Sequence, residues 1–167
     1  MARASAISHS ATVGLDDGAA VATRRLTKLF GTTPALLRAE LEVPAGTVCA
    51  LVGGNGAGKT TLLRILATAA RPSSGSASVH GLDVAAQAGA VRRLVDFLPA
   101  DGGVYLELSA LENLRFCVGM RSLPTSVDEL AEALARVGLA GVADERLRTF
   151  SSGMLRRVGL ARLIGTR

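Results

Sequence analysis

The sequence predicts an α/β fold: a mixed sheet with an antiparallel β part, a glycine loop joining a central strand to a helix, and a helical block in the second half. Three observations predict it. An apolar run at 47–52 leads into Gly53-Gly54-Asn55-Gly56-Ala57-Gly58-Lys59-Thr60-Thr61 and then into the apolar stretch 62–67. Two Ser-x-x-Glu patterns, at Ser109/Glu112 and Ser126/Glu129, each open a segment that reads as a helix. The chain has 167 residues, 49% of them hydrophobic and only 3% aromatic, enough for one domain with an interior of Ala, Val and Leu.

Taken in order, residues 1–19 are small and polar and read as a flexible lead. A strand is expected from 20 to 26, with Phe30-Gly31 ending a hairpin-like unit, and a second strand from 35 to 43, broken by Pro44 and Gly46. The central strand 47–52, the loop and a helix to about residue 70 follow. Arg71-Pro72-Ser73-Ser74-Gly75 reads as a turn, 76–80 as a strand, 84–93 as a short helical piece and 94–98 as another strand stopped by Pro99. Residues 100–108 form a loop. The capping boxes then open helices to about 120 and 137; Val127, Leu130, Ala131, Leu134 and Val137 recur at helical spacing, and Gly138 stops the second helix. Residues 140–150 link to a last helix at 153–164, capped by Ser151 or Ser152. The helical subdomain is expected at about 100–152.

Composition excludes several function classes. No apolar run reaches the length of a membrane span, and the N-terminus lacks the apolar core of a secretory signal, which points to the cytoplasm. Cys49 and Cys117 read as buried small hydrophobes rather than a disulfide or metal pair, and His9 and His80 make no ligand cluster. The net charge is +5, yet the arginines are scattered and no aromatic residues interleave them, so a dedicated nucleic-acid surface is not expected.

The loop carries the chemistry. G-x-x-x-x-G-K-[ST] is the phosphate-binding pattern: glycines let backbone N–H groups close around phosphate oxygens, and the helix start adds its dipole and unpaired N–H groups. Lys59 supplies a compact ammonium for β- and γ-phosphates, and Thr60 a hydroxyl for Mg²⁺. Of 19 Lys plus Arg, only Lys28 and Lys59 are lysine, so an Arg-biased chain still keeps the ammonium here.

A second segment, Leu147-Arg148-Thr149-Phe150-Ser151-Ser152-Gly153-Met154, resembles the signature of ABC-type ATPases in a Phe-Ser-x-Gly-Met form. The resemblance runs from about residue 20 to 167. It implies a P-loop nucleoside-triphosphatase fold of ABC type, with ATP and Mg²⁺ as ligands and Phe30, in Thr27-Lys28-Leu29-Phe30-Gly31, stacking on adenine. Leu111-Glu112-Asn113-Leu114 matches the start of the family's helical subdomain. Ser151, Ser152, Gly153 and Met154 are then expected to face the γ-phosphate held by a second subunit. The implied partners are that second ATPase subunit, equal or different, and a transmembrane permease subunit, with the chain peripheral on the inner face of the plasma membrane. The signature and the run from Glu112 to Phe116 are most similar to bacterial export systems.

Two departures from the family shape the expectation. Ala100, followed by Asp101, stands where the family usually has glutamine. The strand ending in the metal-binding Asp, the catalytic Glu after it and the switch His have no match before Arg167. The chain is therefore expected to be an N-terminal part of such a subunit, able to touch ATP but not to cleave it, with an open apolar edge at 48–52. A non-catalytic nucleotide-binding or regulatory partner is the alternative. A GTPase is disfavoured because N-K-x-D and D-x-x-G are absent.

Overall fold

The computed structural model describes residues 18–100, 102–121 and 123–165, so residues 1–17 of the lead expected at 1–19 and Asp101 lie outside the described residues, while Ala19 already belongs to the first strand. The chain divides into two compact units, Met1–Phe97 and Leu98–Arg167.

The first unit is built on a four-stranded antiparallel sheet in the order β2-β1-β3-β4. Strand β1 (Ala19–Phe30) turns at Gly31, with φ 57°, into β2 (Thr33–Pro44), and Phe30 pairs with Thr33 across the turn. Strands β3 (Ser74–Val79) and β4 (Leu82–Asp83) are joined by His80-Gly81, with φ 46° and 77°. Two successive positive φ values match the twist of antiparallel strands, which is why glycine takes one position. Helix α1 (Lys59–Leu66) and helix α2 (Ala88–Leu94) complete the unit. Leu26, Leu36, Leu62, Ile65, Ala77, Val79 and Val91 form its core, so α1 buries the Leu62/Ile65 stripe against the sheet's inner face.

Several expectations are corrected here. Residues 47–52 and 95–98 pair with no strand among the described residues, and Leu94 belongs to α2. An apolar run reports a tendency to be covered, whereas a strand needs a neighbour's ladder, and these two lack one. Accordingly Val48 is 84% exposed, and Cys49 is exposed rather than buried. Helix α1 ends four residues earlier than expected, where Thr68 takes φ 59°. Strand β3 starts at Ser74, inside the expected turn, because Ser74 pairs with Thr27.

In the second unit, helices α3 (Ala110–Met120), α4 (Val127–Arg136) and α5 (Ser152–Gly165) enclose Leu114, Leu130, Leu134, Leu139, Leu147 and Val158. Both expected capping boxes are formed. Ser109 and Ser126 accept from the amides of Glu112 and Glu129, whose carboxylates accept in return from the serine amides at 2.7 Å. The expected linker 140–150 contains two short 3₁₀ turns, and Leu147 and Phe150 within it are buried.

Candidate functional site

The glycine loop leaves residues 47–52 and closes onto the start of α1. Gly53, Gly56 and Gly58 have φ 153°, 81° and 84°, conformations that side chains disfavour. Gly58 is the N-cap of α1, and its carbonyl accepts from the Leu62 amide at 2.8 Å. A Cβ on Gly58 would lie 2.5 Å from the Ala35 carbonyl oxygen and 3.0 Å from Leu36, so β2 presses directly on the loop. The Ala57 amide donates to Gly54 at 3.3 Å, tightening the turn.

Lys59 folds back over this loop. Its Nζ donates to the carbonyls of Gly53 and Gly54, each at 2.7 Å. An ammonium has three donors, so one remains. Gly53, Gly54, Asn55 and Gly56 are exposed, Ala57 is half-buried, Thr60 is exposed in the first turn of α1, and Thr61 is half-buried. The arrangement sets a glycine turn, a helix start and the Lys59 ammonium together on an exposed loop, a chemistry suited to a phosphate chain. Among the described residues no group of three or more His, Cys, Asp or Glu side chains gathers as a metal centre. The side-chain oxygens of the loop, on Asn55, Thr60 and Thr61, include no carboxylate, so a divalent cation there would need much of its shell from phosphate and water.

Phe30 belongs to the same unit. It is 56% exposed, and Lys28 Nζ lies 5.1 Å from its ring centroid. Phe30 pairs with Thr33, and Ala35, two residues on, is the residue touching Gly58; that separation is about 7 Å of strand. The hairpin thus carries an exposed aromatic ring on the same strand pair whose Ala35 carbonyl meets Gly58, which the loop pattern alone does not show.

The signature residues lie in the second unit, at the start of α5. Ser151, not Ser152, is the cap: its Oγ accepts from the Met154 amide at 3.3 Å, and its carbonyl accepts from Leu155 at 2.9 Å. Ser151, Ser152 and Gly153 are exposed and Met154 is half-buried. Ser152 and Gly153 lie in the first turn of a 14-residue helix, where the main-chain N–H groups have no intrahelical acceptor.

The sequence reading missed three positioning residues in this unit. Asn113, 2% exposed, accepts from the Tyr105 amide and donates to the carbonyls of Tyr105 and Ser109. Arg156 donates to the Ala100 carbonyl at 3.3 Å, and Arg162 to that of Gly103 at 2.7 Å. Spacing alone held no signal for the arginines; for Asn113 the signal was a polar residue on the buried stripe of a capped helix. A polar hollow of about 450 Å³ bordered by Glu107, Ser109, Glu112, Arg115, Asp144 and Arg146 includes none of the expected site residues.

Comparison with known proteins gives consistent matches. A family model described as ABC transporter matches residues 36–167. The daunorubicin/doxorubicin resistance ATP-binding protein DrrA of Streptomyces peucetius is 37% identical over 144 residues, covering 85% of this chain and 44% of that protein. The cytochrome c biogenesis ATP-binding export protein CcmA 2 of Cupriavidus metallidurans is 40% identical over 123 residues, covering 74% and 58%. The chain thus spans about half the length of these two curated relatives. Among solved structures, cbiO1 of Clostridium perfringens, part of the transporter complex cbiONQ, superposes with TM-score 0.64 at 23% identity over 89% of this chain and 62% of that one. The ATP-binding cassette MJ0796, solved as a dimer in a post-hydrolysis state with ADP and Pi, gives 0.73 at 21% identity over 87% and 69%. At those identities the two structures speak for the fold.

Proposed function

This chain belongs to the ABC transporter family as an ATP-binding domain, and on that premise we propose that it binds Mg–ATP through residues 53–61 in the service of membrane transport. The observation that carries the reading is the Lys59 ammonium, held by two loop carbonyls with a donor to spare above exposed glycines. The loop fits a phosphate chain for a further reason: the space a Cβ would fill at Gly58 is taken by the Ala35 carbonyl, leaving backbone alone to line the turn.

Each residue then has a task. Gly53, Gly54, Asn55, Gly56, Ala57 and Gly58 offer main-chain N–H groups to the phosphate oxygens, and Lys59 neutralises charge on the β- and γ-phosphates. The Thr60 hydroxyl is the protein's ligand to the metal, and Thr61 continues the helix start. Bound Mg²⁺ would bridge and neutralise the phosphates. Phe30 gives adenine an apolar face. Ser151, Ser152, Gly153 and Met154 offer a second anion site, complementary to a triphosphate held by another ATP-binding subunit.

The second subunit, a permease subunit, peripheral attachment at the cytoplasmic face of the membrane and an export direction are parts of the same proposal. They draw on the relatives, whose printed names include resistance and export proteins. These 167 residues contain no match for the catalytic Glu or the switch His, so we propose binding without unaided hydrolysis. Calorimetric titration with Mg–ATP, Mg–GTP and Mg–ADP tests the binding. Saturable ATP binding that Lys59→Ala abolishes is expected; unchanged affinity in that variant overturns the assignment. Turnover at an ordinary ATPase rate, free of contaminants, overturns the second part.

A further inference from the structure

Pro99, Ala100, Gly102 and Gly103 turn against a single stripe of α5. The Gly102 amide donates to the Pro99 carbonyl at 3.0 Å, and Gly102 and Gly103 take φ 80° and 58°. A Cβ on Gly102 would lie 2.7 Å from the Leu155 carbonyl oxygen, and one on Gly159 would lie 2.5 Å from Leu98 and 3.0 Å from the Gly102 carbonyl oxygen. Helix and turn therefore approach backbone to backbone. At the two ends of the contact, Arg156 donates to Ala100 and Arg162 to Gly103. Residues 155, 159 and 162 recur at helical spacing, so the close contacts follow one line along α5, and that line begins one turn after Ser151.

We propose that Arg156 and Arg162 are positioning residues that make the 99–103 turn follow the N-terminal end of α5, so that a displacement at Ser151–Gly153 is carried to Ala100. The physical case is a contrast of stiffness. Gly102 and Gly103 bring no side chain of their own, so what α5 supplies to the turn weighs heavily in holding it. Two guanidinium groups, each anchored on a regular helix, donate to the carbonyls of Ala100 and Gly103, and bonds from a charged donor are stronger than neutral ones. The glycine contacts forbid the turn from riding up on the helix. What moves the helix start must then move the turn. The functional weight of this coupling rests on the ATP reading above, in which Ser151–Gly153 receives phosphate; the coupling itself does not.

Hydrogen exchange on the full 167-residue chain without nucleotide, read by mass spectrometry, tests it through Ser151→Ala. That change removes the cap on the Met154 amide and loosens the start of α5. In the wild-type background exchange of residues 102–105 is expected to rise several-fold together with that of 152–155. In Arg156→Ala/Arg162→Ala, 102–105 start faster by roughly tenfold, and Ser151→Ala then changes only 152–155. An arginine pair that merely stabilised the turn would raise the baseline without abolishing the response. A response of 102–105 that survives removal of the arginines, or that is missing in the wild type, overturns the proposal. Should the double variant not fold, Arg156→Ala alone, at an exposed side chain, and the Lys replacements give the same comparison, with Lys expected to restore part of the response. A parallel Mg–ATP titration reports on the binding reading separately, since failure there leaves the exchange result standing.

Discussion

The Ala35 carbonyl oxygen lies 2.5 Å from the position a Cβ would take on Gly58. That contact fixes how deeply β2 seats on the phosphate loop, and with φ 84° it excludes side chains twice over. Gly58→Ala is expected to cost roughly 2–3 kcal/mol and to abolish nucleotide binding. Gly54→Ala makes the control, because a Cβ there meets nothing within 4 Å. Its melting temperature should match the wild type while ATP affinity falls. Thermal denaturation of the two variants side by side decides it.

Lys59 is argued from a donor count. Two of its three N–H groups hold Gly53 and Gly54 carbonyls and the third is left for phosphate. Lys59→Arg keeps the charge, but a planar guanidinium cannot place two donors on adjacent loop carbonyls and a third on a ligand in the same space. Both Lys59→Ala and Lys59→Arg are expected to lower ATP affinity at least about a hundredfold. The helical unit should stay folded in both, as judged by exchange protection of Leu130, Leu134 and Val158.

What was legible in the sequence was local. The glycine loop, both capping boxes and the hairpin at Phe30-Gly31 each depend on residues within a few positions of one another, and each formed, while the second hairpin at His80-Gly81 was not read. The runs at 47–52 and 94–98 were misread because their apolar content asks for cover, which only distant chain can supply. Cys49 follows the same logic: with no neighbour on its stretch it is exposed. Arg156 and Arg162 were invisible for the opposite reason, since their partners are carbonyls, which every residue has. Phe30 was singled out by resemblance, and its place on the strand pair that meets the loop came only with the Phe30–Thr33 register.

Phe30 contributes to the binding of a base and not of a phosphate. Phe30→Ala is expected to weaken ATP by about 1–3 kcal/mol, the usual worth of a base–aromatic stack. Affinity for inorganic triphosphate should be unchanged. Because the side chain is more than half exposed, the melting temperature should shift little. Equal loss for both ligands would remove Phe30 from the site and make it a support for the loop.

Asn113 is buried with its amide satisfied by Tyr105 and Ser109. Asn113→Ala strands one amide and two carbonyls and should cost about 2–4 kcal/mol. Asn113→Asp is the sharper test. It keeps an acceptor for the Tyr105 amide but aims a carboxylate oxygen at two carbonyl oxygens. Denaturant unfolding should show it no more stable than Asn113→Ala near neutral pH, despite its near-identical shape. Wild-type stability in the aspartate variant would mean the loop is held by something else.

Glu129 gives the chain a pH response at the start of α4. The Ser126 backbone and then its side chain hydrogen-bond the carboxylate and hold its pKa below the ordinary 4.5, against a smaller opposing effect of burial. A carboxyl group whose folded pKa is depressed contributes stability that is fully present above the unfolded value. That contribution is lost as pH falls through the folded value. Cap stability should therefore be constant from neutral pH down to about the ordinary carboxylate range, then decline below it as Glu129 takes up a proton. Amide exchange cannot be compared simply across that range, so the readout is the NMR shift of the Ser126 amide proton, which donates to the carboxylate. In Glu129→Gln the acceptor persists without a charge, as capping boxes allow. The shift should then stay flat over the same interval. A Ser126 titration that persists in the glutamine variant would assign the response to another carboxylate.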